Sequence, residues 1–318
     1  MSRIKRDKAI KVLFMGTPEF AVPGLLSLIS DQYFKVIGVY TKPDKPQGRK
    51  QNITPPPIKI VAEKNNIPVF QPEKIKPEIN NIKNLNPDLI VVIAYGKIIP
   101  PEILDIPKYG CINIHGSLLP KYRGSSCLSA PIINGDDKTG ITIMKMDATM
   151  DTGDILKQFE IPLDNNANLE YVHDSLSSLS AQVLKDVLKD WTEEKIETEK
   201  QDESQASYVK MIKKEDGHIN WHKGAQEIER LIRGLNPWPG TYSYINNKII
   251  KIFAAKIDND INENNRKIGE IFIKNKHLTV KCGQGNLFIL KLQTEGGKIM
   301  SAQDFLSGHQ DIIGKILQ

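Results

Sequence analysis

The sequence is poor in the features that mark several large protein classes. Three cysteines, Cys111, Cys127 and Cys282, are scattered through 318 residues. They show neither the paired framework of small secreted domains nor the close spacing of a metal site. They are expected to be buried thiols in a reducing, cytoplasmic setting. No run approaches the roughly 18 apolar residues of a membrane span, and the basic start at Arg3, Lys5, Arg6 and Lys8 leads into a short strand rather than a signal segment. No membrane association is expected. His218 and His222 are four residues apart but have no third ligand in view, so no metal is expected. Between Met15 and Phe20 there is one glycine, where a dinucleotide-binding fingerprint needs three, which argues against a nicotinamide enzyme. The net charge of +5 is compatible with a polyanionic partner without requiring one.

What is present is alternation. Short apolar runs at Ile10 to Met15, Val36 to Tyr40, Val69 to Phe70, Leu89 to Ala94 and Cys111 to His115 are separated by helical or loop-like stretches such as Ile58 to Asn65. Such a pattern predicts a parallel sheet covered on both faces. Thr17 followed by Pro18 reads as a helix N-cap with proline in the first turn. Ile141 to Met146 and Ile155 to Ile161 predict two further strands, and Tyr171 to Trp191 a long amphipathic helix whose stripe includes Val172, Leu176, Leu184 and Leu188. His173 falls on that helix as a surface residue. A chain of this length suits two domains better than one core. The first is expected over residues 1–192, a polar linker over 193–215, and a second domain over 216–318, with one helix near Ala225 to Leu235 and several strands that suit a small antiparallel barrel. Trp221 and Trp238 are expected as packing anchors or, failing that, as interface residues.

One segment carries chemistry. In Gly110-Cys111-Ile112-Asn113-Ile114-His115-Gly116-Ser117-Leu118-Leu119-Pro120-Lys121-Tyr122-Arg123-Gly124, Asn113 and His115 are two apart, and an extended strand points both to one face. The strand ends at Gly116, which places the pair near a carboxyl end, where open α/β sheets hold their ligands. An amide and a protonated imidazole suit acyl transfer, in which a carbonyl becomes a tetrahedral oxyanion and needs donors already aimed at the charge. A neutral-pH imidazolium needs a nearby carboxylate. Asp151, in Asp151-Thr152-Gly153-Asp154, is the candidate. Taken alone, an Asn-x-His triplet is more often structural.

The long motif, read with Asp151-Thr152-Gly153, closely resembles the signature of the folate-dependent formyltransferases. That resemblance implies Asn113, His115 and Asp151 as the catalytic set, and Ser117, Leu118, Leu119 and Pro120 as the wall that holds 10-formyltetrahydrofolate, a co-substrate released as tetrahydrofolate. It implies a Rossmann-like α/β domain followed by an OB-like barrel. Three more segments are similar to the branch of the family that acts on initiator Met-tRNA: Phe14 to Ala21, the loop Tyr40 to Lys50, and Asn236-Pro237-Trp238-Pro239-Gly240 with Met300 to Phe305. By this resemblance Lys42, Lys45, Arg49 and Lys50 contact tRNA from an exposed loop and the barrel helps to hold the tRNA. A monomer is expected. One stretch, Ser125-Ser126-Cys127-Leu128-Ser129, departs from the family's Ala-Ala-Pro-Ile-Gln pattern.

Overall fold

A computed structural model describes residues 9–48, 51–258 and 265–318. The chain divides into two compact units: Met1–Cys127, Thr139–Ile161 and His173–Val209 form one, and Leu128–Lys138, Pro162–Val172 and Lys210–Gln318 the other.

The first unit is built from strands β1 (Ile10–Gly16), β2 (Phe34–Tyr40), β3 (Lys45–Gln47), β4 (Asn52–Thr54), β5 (Val69–Phe70), β6 (Leu89–Ile93), β7 (Cys111–His115), β8 (Arg123–Gly124), β9 (Lys138–Lys145), β10 (Ile155–Pro162) and β11 (Tyr208–Val209). Seven of them form one sheet in the order β10-β9-β7-β6-β1-β2-β5. The pairs β1 with β2, β1 with β6, β2 with β5 and β6 with β7 are parallel, while β7 and β9 are antiparallel. The apolar runs explain the arrangement, because every residue of Val12 to Met15 and Leu89 to Ile93 is buried, as expected where both faces are covered. Helices α1 (Val22–Ile29), α2 (Pro57–Lys64), α3 (Ile79–Leu85) and α4 (Pro101–Leu104) connect these strands. On one face Leu13, Met15, Ile90, Val92 and Cys111 share a core with Tyr40, Ile82, Tyr95 and Ile103.

The turn after β1 differs from the expected cap. The helical segment begins as a 3-10 turn at Glu19 with Pro18 in the cap position, and the Thr17 hydroxyl instead donates to the Tyr95 carbonyl at 3.0 Å. That bond ties the end of β1 to the loop after β6.

The second unit contains α5 (Ala130–Asn134), the helix α7 (Ala225–Leu235), strands β12 (Thr241–Ile245), β13 (Lys248–Asp258), β14 (Ile271–Lys274), β15 (His277–Lys281), β16 (Asn286–Thr294) and β17 (Met300–Ser301), and α8 (Ala302–Gly308). The helix α6 (Leu169–Thr192) precedes α7 in the chain. The antiparallel order is β12-β13-β16-β15-β14, with β17 on β16. The last residues close it. Tyr244 and Gln318 exchange backbone bonds at 2.9 and 3.0 Å, while Ile271 donates to Lys315 at 2.9 Å and Leu317 to Gly269 at 2.9 Å. Edges that would otherwise be bare are thereby paired, which makes the sheet a barrel. Ile228 and Ile232 of α7, with Trp221 and Phe305, are buried against Ile252, Val280, Leu287 and Leu292. Trp221 is a packing anchor whose indole donates to Ser243 Oγ at 2.9 Å. Trp238 is not, since it is 57 % exposed.

The polar stretch 193–215 has little that could build a core, yet its part through Val209 groups with the first unit. There β11 pairs in parallel with β8. Hydrogen bonds, not apolar burial, hold it, which is why composition reads it as a linker.

Candidate functional site

The site lies wholly in the first unit, at the end of β7. Along β7 the side chains of Cys111, Asn113 and His115 share one face. Asn113 aligns with Val92 of β6 on one side and Met144 of β9 on the other, and His115 with Thr142. Asn113 is half-buried, and its side-chain amide has no hydrogen-bond partner among the described residues.

His115 is 6 % exposed. Its Nε2 lies 3.0 Å from the Tyr122 carbonyl. A carbonyl only accepts, so Nε2 carries a hydrogen, and the neutral ring would leave Nδ1 bare. Nδ1 faces Asp151 Oδ2 at 3.7 Å, within ion-pair range but beyond a good hydrogen bond. Burial opposes the charged ring. Against it act the Cys127 sulfur, which also hydrogen-bonds the ring, the Asp151 carboxylate and the Tyr122 carbonyl, and together they push the imidazole up to about 9. These contacts favour the charged ring, in which both nitrogens bear hydrogens.

Asp151 is positioned by a turn. Its φ is +56°, in the left-handed region that costs an aspartate little compared with bulkier residues. Two residues on, a Cβ at Gly153 would fall 1.8 Å from the Lys145 carbonyl oxygen, so only glycine fits. The Asp151 Oδ2 accepts the Gly124 N–H at 2.7 Å. The preceding loop is tied down by Asp147, which accepts from the Thr149 and Thr152 hydroxyls.

The three residues expected to act together are thus brought to one place. Four others enter the site that sequence reasoning gave no role: Tyr122, Gly124, Cys127 and Gln201. Cys127 belongs to the departing stretch and is partly exposed, whereas Cys111 and Cys282 are buried as expected. Gln201 lies in the polar stretch where no periodicity or motif flags it.

In the segment Ser117 to Pro120, Ser117 and Leu119 turn inward. The Ser117 hydroxyl donates to the Lys121 carbonyl at 2.7 Å, and Leu119 is 3 % exposed, with its N–H on Thr142 Oγ1 at 3.0 Å and its carbonyl on Gln158 Nε2 at 2.7 Å. Leu118 and Pro120 are half-buried and offer the accessible apolar surface. Lys42 and Lys45 lie at the start of an arm rather than in a structureless loop: β3 and β4 pair as an antiparallel hairpin. Asp44 anchors its base to Lys59 at 2.8 Å and to Gln71 at 2.7 Å. Lys45 is exposed, whereas Lys42 is half-buried, and burial, with Lys45 and Lys97 nearby, holds it below the usual lysine range. Arg49 and Lys50 lie outside the described residues.

A family model described as formyl transferase matches residues 8–188, and one described as formyl transferase, C-terminal domain, matches 211–310. The chain belongs to the formyltransferase family. Within it, the chain is 46% identical over 304 residues to a methionyl-tRNA formyltransferase of Citrifermentans bemidjiense, covering 95% of this chain and 94% of the relative. It is 44% identical over 312 residues to the enzyme of that name from Caldanaerobacter subterraneus subsp. tengcongensis, covering 97% and 100%. Among solved structures, an N-formyltransferase from Helicobacter canadensis, in complex with folinic acid and dTDP-3-aminofucose, superimposes with a TM-score of 0.67 at 21% identity, over 90% of this chain and 100% of that one. The sugar 3N-formyl transferase WlaRD, solved with dTDP and 5-N-formyl-THF, gives 0.66 at 23%, over 92% and 100%. These two formyltransferases share the fold of this one.

Proposed function

We propose that this formyltransferase moves a formyl group from 10-formyltetrahydrofolate to the α-amino group of methionine on initiator Met-tRNA. The observation that carries the reading is the meeting of Asn113, His115 and Asp151 at the end of β7, in a chain that matches methionyl-tRNA formyltransferases along nearly its whole length.

In this reading the methionyl amine attacks the formyl carbon, forming one C–N bond, and the bond from that carbon to the folate nitrogen then breaks. Between the two events the formyl oxygen bears negative charge. The Asn113 amide and the Nδ1–H of protonated His115 donate to it, while Nε2–H stays on the Tyr122 carbonyl. Asp151 stabilises the imidazolium and orients an ordered water that takes the amine proton and returns one to the departing nitrogen. The pterin lies by the ends of Val92 to Tyr95 and the Asp147 to Asp151 loop, with Leu118 and Pro120 of the Ser117 to Pro120 wall against it. Exposed Lys45 and half-buried Lys42, together with Arg49 and Lys50, contact the tRNA backbone or base edges. The protein acts in the cytoplasm as a monomer. Among the described residues, no helix is long and apolar enough to cross a membrane.

The test is a three-way assay with the full chain and 10-formyltetrahydrofolate. Met-tRNA, an amino-sugar nucleotide and water alone are offered as acceptors. Formylmethionyl-tRNA formed in preference to the other products supports the reading. Formylated sugar, free formate alone or no product at all would each overturn it.

A further inference from the structure

Among the described residues one arginine is completely buried, and the proposed reaction gives it nothing to do. Arg123 is 0 % exposed, and a guanidinium has five N–H donors, none of which can be left bare in the interior. All five are accounted for. Nε and Nη2 donate to Gln201 Oε1 at 3.0 and 2.9 Å, Nη1 and Nη2 to the two Glu203 carboxylate oxygens at 2.9 and 2.6 Å, and Nη1 to the Tyr208 hydroxyl at 2.7 Å.

The other end of Gln201 points to the purpose. Its Nε2 donates to the Asp151 carbonyl at 2.9 Å and to the Gly153 carbonyl at 2.8 Å. A planar amide held by two N–H groups at its oxygen cannot rotate, so its nitrogen is aimed at the two carbonyls that bracket the turn. The neighbouring Gly124 N–H holds the carboxylate of the same Asp151 at 2.7 Å. The segment also supports the histidine side: the Ser207 hydroxyl accepts the Tyr122 N–H at 2.9 Å, and the Ser207 carbonyl accepts the Arg123 N–H at 2.8 Å.

We propose that Gln201, clamped by Arg123, is a positioning residue that holds Asp151 opposite His115. It never touches the reacting atoms. It acts through the backbone of the Asp151 turn, whose left-handed residue and close approach at Gly153 give it no regular secondary structure to rely on. The groups that face His115 are Asp151, Cys127 and the Tyr122 carbonyl, and of these Gln201 governs only Asp151. The inference rests on the proposed formyl transfer for its kinetic consequence, but not for its structural one.

Gln201→Glu separates the two ends of the side chain. Its carboxylate still satisfies Arg123, so the fold is kept, but it has no hydrogen for the Asp151 and Gly153 carbonyls and repels them. The His115 midpoint, read by NMR of the histidine-labelled full chain without substrates, is expected to fall, although the new carboxylate taken alone would raise it. Turnover with Met-tRNA is expected to fall by about ten- to 100-fold with KM nearly unchanged, as for a displaced catalytic group. Should that variant fail to fold, Gln201→Asn, too short to span Arg123 and the turn together, is read in the same way. An unmoved midpoint overturns the proposal, whether turnover holds or falls, because a fall without it is only structural damage. If the midpoint moves in a protein that never formylates Met-tRNA, the functional reading fails and the positioning role stands.

Discussion

His115 and Asp151 face each other at 3.7 Å, and the chain places them by opposite means. His115 ends a strand bonded on one side to β6 and on the other to β9, so the direction of its side chain follows from the pleat. Asp151 sits in a turn with positive φ, and its orientation depends on Gly124 and Gln201, 27 and 50 residues away. The histidine is delivered by local geometry and the aspartate by distant contacts. Loss of the Asn113 amide on the strand side should therefore cost chemistry alone, and damage on the turn side should cost both chemistry and structure.

Asn113→Ala is the sharpest way to break that comparison. The amide has no hydrogen-bond partner among the described residues, so its loss leaves none of their buried groups unsatisfied and should barely change unfolding. Turnover should fall by about 100- to 1,000-fold, as when one oxyanion donor is removed. Near wild-type kcat, or a large drop in unfolding temperature, would show that the strand side is not what it is taken to be here.

On the turn side Gly153→Ala should do the reverse. A Cβ 1.8 Å from the Lys145 carbonyl oxygen meets backbone, which cannot step aside as a side chain can. The strain should cost about 1–3 kcal/mol of stability, measured by urea unfolding, and turnover should fall with it because Asp151 is displaced. Unchanged stability would mean that the turn is looser than its contacts imply.

The same division decides what could be read from the sequence. The strands of the first unit, α7 and the Asn113 and His115 pair all announce themselves through period and apolar content, since every residue of Leu89 to Ile93 is buried and Ile228 and Ile232 repeat at helical spacing. Asp151 is legible only as a candidate carboxylate, strengthened by the resemblance, because no period or apolar pattern brings it to His115. Gln201 and Glu203 were not recognisable at all, because a polar stretch that is held by side-chain hydrogen bonds has the composition of a linker. Cys127 was visible as a departure from a pattern, but its contact with His115 is three-dimensional. The arm from Lys45 to Thr54 looked like loop because Pro46 and Gly48 break strand patterns, yet a two-stranded hairpin tolerates a proline where no second neighbour needs its N–H. Trp238 shows the limit in the other direction: flanking prolines suggest a packed corner, and the indole is exposed.

The contact between strand and turn can be titrated. The His115 imidazole is raised from 6.5 to about 9, so the native state holds its proton more tightly than the unfolded chain. The stabilisation is fully present below about 6.5 and is lost as pH rises through about 9. Wild-type stability minus that of His115→Gln should therefore decline across this window. Asp151→Asn, which still accepts the Gly124 N–H but has no charge, should move the upper end of the window to lower pH. Curves that run parallel in all three proteins would mean that the two sides do not interact.

Lys45 belongs to neither arrangement, and its effect should be the smallest. It is exposed on β3, at the edge of a hairpin whose fixed point is Asp44 on Lys59, so nothing aims its charge. A cation of that kind supplies a phosphate contact without reading sequence. For Lys45→Ala, kcat should be unchanged, KM for Met-tRNA should rise a few-fold, and the salt dependence of that KM should shrink by about one contact. The folate KM should not move, because the arm is built on its own hairpin and not on β7. A change in kcat would show instead that the arm helps to place the acceptor amine, and would put Lys45 with the turn rather than outside the comparison.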